Sequence, residues 1–84
     1  MRIYMQAPAA QDKAPRYYQL VLQPDMLEGW TLIREWGVQG SAGRVKREHY
    51  ANFDAAEAAL LAMRDTQIKR GFRVVFVQGQ EQPT

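Results

Sequence analysis

The sequence contains no cysteine, so it carries no disulfide staple, no thiolate metal site and no thiol nucleophile. It has a single histidine, His49, which leaves no imidazole pair for a metal, and neither a metal nor a cofactor is expected. No run approaches the roughly 18 apolar residues of a membrane helix. The amino end carries Arg2 but not the continuous apolar stretch of a signal peptide. A cytoplasmic protein with no membrane contact is therefore expected. Charge of one sign is also scarce, since the net charge is only +2, too mild to demand a nucleic-acid partner. At 84 residues there is room for one core, so the chain reads as one domain over 1–84. A domain of this size buries roughly 60–65% of the surface its unfolded chain exposes, with stability on the order of 5 kcal/mol.

What the sequence does have is concentrated between Trp30 and Tyr50. This stretch holds both tryptophans, the only histidine and four cations: Arg34, Arg44, Lys46 and Arg47. Two strand-like runs flank a glycine-rich turn, Gly37 to Gly43, and the first run ends on Trp36-Gly37. A large flat ring is thereby placed at the mouth of a loop, with a basic strand returning beside it.

Around this stretch the periodicities predict an α+β fold. Arg2 to Met5 is a candidate first strand, and residues 6–15 read as a flexible connection. Arg16 to Gln23 alternates with Tyr18, Leu20 and Leu22 on the core face, and Pro24 ends it. Trp30 to Trp36 then puts Trp30, Leu32, Arg34 and Trp36 on one side. In the strand ending at Tyr50, Arg44, Lys46, Glu48 and Tyr50 share a face, and Val45, Arg47 and His49 share the other. A helix is predicted from Asp54 to Arg70, with Asp54 as its cap, Glu57 in a capping-box variant and Phe53 stapling back on Ala58. Gly71 is a left-handed terminator and Phe72 its hydrophobic clasp. Arg73 to Val77 is the last strand, ending a core over 16–77, and 78–84 is a polar tail. Together these elements predict a twisted antiparallel sheet of four to five strands with one long helix packed on one face.

The segment from Arg16 to Phe72 resembles the WGR domain, found in poly(ADP-ribose) polymerases and in short bacterial proteins. The matching pieces are Tyr17-Tyr18-Gln19-Leu20, Gly29-Trp30, Arg34-Glu35-Trp36-Gly37, Gly40, Gly43-Arg44-Val45, the helix start at Phe53 to Ala58, and Lys69-Arg70-Gly71-Phe72. The resemblance implies a non-catalytic module. In the polymerases this domain helps to recognise broken DNA ends, its tryptophan packing on the terminal nucleotide, and that role falls here on Trp36. The family's naming arginine stands where this chain has Val38, so no arginine role is carried over.

Two functional readings follow. In the first, the chain binds nucleic acid weakly and without sequence preference, DNA rather than RNA, at ends or single strands. Its candidate site is Trp36, Gly37, Arg34, Arg44, Lys46 and Arg47. Alternate residues of a strand stand some 6.5–7 Å apart, close to the phosphate repeat of a nucleic-acid strand. In the second, the same aromatic surface binds a protein partner or a second copy, as a monomer or weak dimer. Blander readings stay open beside both: Trp36 as a core anchor, the strand cations as protection of a sheet edge. Lys69, Arg70 and Arg73 read as helix-dipole complement and solubility. His49 has no evident partner and Ser41 no nucleophile-elbow context, so no enzyme is expected.

Overall fold

Two aromatic side chains and a run of aliphatic ones, spaced at alternate residues, set the plan of the molecule. The computed structural model describes residues 1–9 and 13–79. Five strands, β1 (Arg2–Ala7), β2 (Arg16–Pro24), β3 (Trp30–Val38), β4 (Arg44–Tyr50) and β5 (Arg73–Gln78), form one sheet in the order β4-β3-β2-β1-β5. Every neighbouring pair is antiparallel. The helix α1 (Phe53–Lys69) connects β4 on one edge to β5 on the other, so it must cross the sheet, and it packs chiefly on β2 and β3.

The core lies between helix and sheet. Ile3 and Met5 from β1, Tyr18, Leu20 and Leu22 from β2, Leu32 from β3, Ala56 and Leu60 from α1, and Phe72 are all buried. The expected core face of β2 is the observed one, because the period of two sends Tyr18, Leu20 and Leu22 to the same side. β1 is longer than expected. Gln6 and Ala7 continue the ladder with β2, and burial of Ala7 draws them out of the connection assigned to 6–15. The rest of that connection lies partly outside the described residues, as does the predicted tail beyond Gly79. Gln78 belongs to β5, paired with Arg2.

The start of α1 corrects the expected cap. Asn52, in extended conformation, caps the helix by accepting a hydrogen bond from the Ala55 amide at 2.8 Å, and Asp54 instead adds charge to the first turn. Phe53 packs against Trp30, ring centroids 5.0 Å apart and edge to face, which makes Trp30 part of the core wall. The far end follows expectation. Gly71 takes φ +100°, while its amide and that of Phe72 donate to the carbonyls of Ile68 and Gln67, each at 3.0 Å. This Schellman arrangement satisfies the last carbonyls and turns Phe72 inward.

Among the described residues no helix covers the opposite face of the sheet. There Phe76, Tyr4 and Tyr17 stand side by side across β5, β1 and β2, with centroid separations of 5.3 and 6.3 Å and near-parallel planes. Tyr17 donates to Glu35 at 3.1 Å, and Gln39 reaches Tyr4. β5 is poorly covered, and Val74, Val75, Phe76 and Val77 are between 40% and 53% exposed.

A candidate nucleic-acid interface beside Trp36

The ladders align the candidate residues across the sheet. Tyr18 of β2, Trp36 of β3 and Arg44 of β4 are successive register partners, and Leu20, Arg34 and Lys46 form the adjacent row. All six face the helix side. Because α1 starts near Trp30 and Tyr50 and crosses diagonally, the corner of the sheet holding Trp36, Arg44 and Lys46 is left uncovered.

Trp36 is half-buried and lies against the core. Its indole is stacked on Tyr18 with a centroid distance of 5.5 Å and 10° between planes, and its partner on the other side, across the β3–β4 ladder, is Arg44. Core anchoring and surface display are thus combined in one ring. Arg34 is mostly withdrawn from solvent, its side chain 14% exposed. Its Nη1 donates to the Tyr18 hydroxyl at 3.2 Å, its Cζ lies 5.7 Å from the Trp36 ring, and Nε faces Glu48 at 3.5 Å without a hydrogen bond. Arg34 therefore buttresses the tryptophan from beneath. Arg44 and Lys46 are exposed, Lys46 lying 3.9 Å from the Glu48 carboxylate. Gly37 sits opposite Tyr17, and Val38 opposite Arg16. Arg47 is placed on the uncovered face with Val45 and His49, apart from the other five candidates.

Beside Trp36 a cleft of about 440 Å³ opens between the carboxy-terminal half of α1 and the ends of β2 and β3. Its floor includes Tyr18, Trp36 and Phe72, and its cations are Arg16, Arg34 and Arg70. Among the described residues no carboxylate lines it. Arg16 and Arg70 are contributions that sequence reasoning missed. The hairpin register was a usable signal for Arg16, since the pairing of Leu22 with Leu32 carries on to Arg16 and Val38. For Arg70 there was no such signal, because the angle of the helix decides where its last turn lies.

His49 has a partner after all. Its Nδ1 lies 2.6 Å from Oδ2 of Asp25, which also accepts from the Thr31 hydroxyl, while Oδ1 accepts the amides of Leu27 and Gly29. Desolvation pushes the Asp25 carboxyl up, but the hydrogen bonds from His49, Leu27, Thr31 and Gly29 outweigh it and hold the pKa at about 2. A Cβ at Gly29 would meet the Tyr50 carbonyl at 2.3 Å, so the turn presses directly on the end of β4. Ser41 is in the loop at the other end of β3, and no nucleophile-base pair forms between it and His49. Among the described residues no group of three side chains is placed to hold a metal ion, and no helix is long and apolar enough to cross a membrane.

A small antiparallel sheet crossed by one helix thus carries an aromatic and basic corner beside an open cleft. The family model of the WGR domain matches residues 1–77, and the chain belongs to that family. The family match indicates a binding module and no catalytic family. The chain is also similar to the uncharacterized protein y4dW of Sinorhizobium fredii, with 26% identity over 72 residues. That match takes in 86% of this chain and 35% of the relative, so the chain spans about a third of the relative's length.

Proposed function

We propose that the chain binds nucleic acid without sequence preference, at strand ends or single-stranded segments and in DNA rather than RNA, and that it catalyses nothing. The observation that carries this reading is the alignment of Tyr18, Trp36 and Arg44 across three strands at the corner the helix leaves uncovered. A base or sugar resting on the indole gains a stacking contact of about 1–3 kcal/mol. Arg44 and Lys46 follow each other on the same face of β4, at the spacing of successive phosphates. Gly37 packs against Gly43 beside the ring, where a Cβ would meet the Gly43 Cα at 3.0 Å, Arg34 supports the ring from below, and Arg47 contributes long-range attraction from the far face.

The test is fluorescence anisotropy with blunt duplex, nicked duplex, single-stranded DNA and RNA across a salt series. Binding that depends on ends or single strands, weakens with salt and is lost in a folded Arg44→Ala/Lys46→Ala variant is the expected outcome. No binding at about 100 micromolar, the weak end of the usual range of non-specific affinity, sinks it.

A second reading, self-association, is favoured by the apolar edge strand β5 rather than by the surface around Trp36. Val74 to Val77 present aliphatic and aromatic side chains on a strand that, among the described residues, has no neighbour on its outer side. The ladder to β1 shifts register between Tyr4 and Met5, a bulge that restricts any added strand. Sedimentation equilibrium decides it: a monomer mass at every concentration removes this reading, and a dimer broken by Val75→Lys supports it.

A further inference from the structure

Position 38 carries no charge, although it stands at the rim of the cleft beside Trp36. Cations flank it instead. Arg16 is its direct partner across the β2–β3 ladder, and Arg70, at the end of α1, contributes to the helix wall of the cleft. Both are exposed, and among the described residues neither is paired with a carboxylate. The third guanidinium, that of Arg34, is already held by Tyr18 and Glu48. Arg16 and Arg70 are thus left with a floor of aromatic rings and no counter-charge.

Arg16 is also held in place. Its Cζ lies 5.3 Å from the centroid of Phe72, a ring that the Schellman turn fixes and Tyr18 meets edge to face at 5.8 Å. A guanidinium stacked on a fixed ring loses less freedom on taking a ligand than a free lysine does. Complementing the helix dipole is the bland role for Arg70, but the carbonyls of Thr66, Gln67 and Ile68 in the last turn of α1 already accept the amides of Arg70, Gly71 and Phe72. Its charge remains available to something outside the helix.

We propose that Arg16 and Arg70 form a phosphate clamp at the mouth of the cleft, taking the charge that Val38 does not supply. The occupant is a phosphate of the strand whose neighbouring base or sugar rests on Trp36, so the clamp deepens, and rests on, the nucleic-acid reading. A bound strand then runs from Arg44 and Lys46 on β4, over the indole, to Arg16 and Arg70. Planar guanidinium groups suit this task because each can give two parallel hydrogen bonds to phosphate oxygens.

The test uses the full chain with Arg16→Gln/Arg70→Gln beside Arg44→Gln/Lys46→Gln, each checked for folding by circular dichroism and thermal melting. With a fluorescent single-stranded deoxyadenylate 12-mer, losing the clamp is expected to weaken binding about tenfold and to reduce the slope of log K against log salt by about 1 per phosphate contact removed. Should the parent affinity and slope persist in the clamp variant and fall in the β4 variant, the clamp is overturned and the nucleic-acid reading stands. Should the parent bind no nucleic acid, that reading falls, and the Arg Nε–Hε resonances in a titration with inorganic pyrophosphate decide the clamp alone. Joint, saturable shifts of Arg16 and Arg70 uphold a phosphate site; unmoved resonances overturn it.

Discussion

The indole of Trp36 lies on the phenol ring of Tyr18, centroids 5.5 Å apart and planes 10° from parallel. Tyr18 is only 6% exposed, so a buried ring fixes the angle at which the half-buried indole meets solvent. Stability and binding are therefore coupled at Trp36. We expect Trp36→Phe to retain most of the thermal stability and part of the affinity, and Trp36→Ala to lose both. Truncation of a large aromatic in such a contact costs up to about 3–5 kcal/mol, which is close to the whole stability of a small domain. Urea denaturation of both variants, with binding measured on the folded fraction, separates the two effects.

Restoring arginine at position 38 tests the cleft from its rim. Val38→Arg adds a fourth guanidinium to a cleft that already holds Arg16, Arg34 and Arg70. If the cleft takes phosphate, binding to a short single strand tightens and its salt dependence steepens by about one counterion. If affinity is unchanged, the resemblance to the polymerase domains is architectural at this position.

Acid exposes the turn at Asp25. Its pKa is held at about 2, against about 3.9 for an unperturbed Asp, so the stabilisation from ionised Asp25 is complete above the unfolded value and disappears as pH falls through the folded one. Thermal melts should therefore lose stability between about pH 4 and pH 2. Asp25→Asn should lower the melting temperature at neutral pH and flatten the acid limb. An unchanged acid limb in that variant would assign the acid loss to other carboxylates.

At the opposite extreme of pH, Tyr17 should ionise late. Desolvation, followed by the hydrogen bond to Glu35 and the negative charge of that carboxylate, raises its pKa above the ordinary tyrosine value of about 10. The contribution of neutral Tyr17 is present below that value and lost as pH rises through the raised one. Ultraviolet titration at the tyrosinate band should show a late-ionising component from Tyr17 that returns toward the ordinary value in Glu35→Gln.

The helix start gives a prediction independent of ligand. Asn52→Ala removes the bond to the Ala55 amide and should cost about 0.5–2 kcal/mol, whereas Asp54→Ala should cost less because it removes only a charge from the first turn. Equal losses would mean that Asp54 shares the capping role.

The sequence alone determined the strands, their inward faces and the end of the helix. A period of two cannot bury Leu20 without also burying Tyr18 and Leu22, and a glycine followed by an apolar residue closes a helix by local geometry alone. The same local rules put Arg44 and Lys46 on one face and Arg47 on the other. Competition between neighbours was less legible: Asn52 rather than Asp54 makes the cap, because the extended residue two positions earlier accepts the free amide of Ala55. Only the tertiary structure decided what meets across distance. The angle at which α1 crosses the sheet sets Arg70 over the cleft, and the fold of the β2–β3 turn brings Asp25 to His49 from 24 residues away. No local preference encodes these contacts, since they arise from packing the whole core at once. The chain specified its pieces residue by residue, and the placing of aromatic rings and arginines around one cleft followed from how those pieces close on each other.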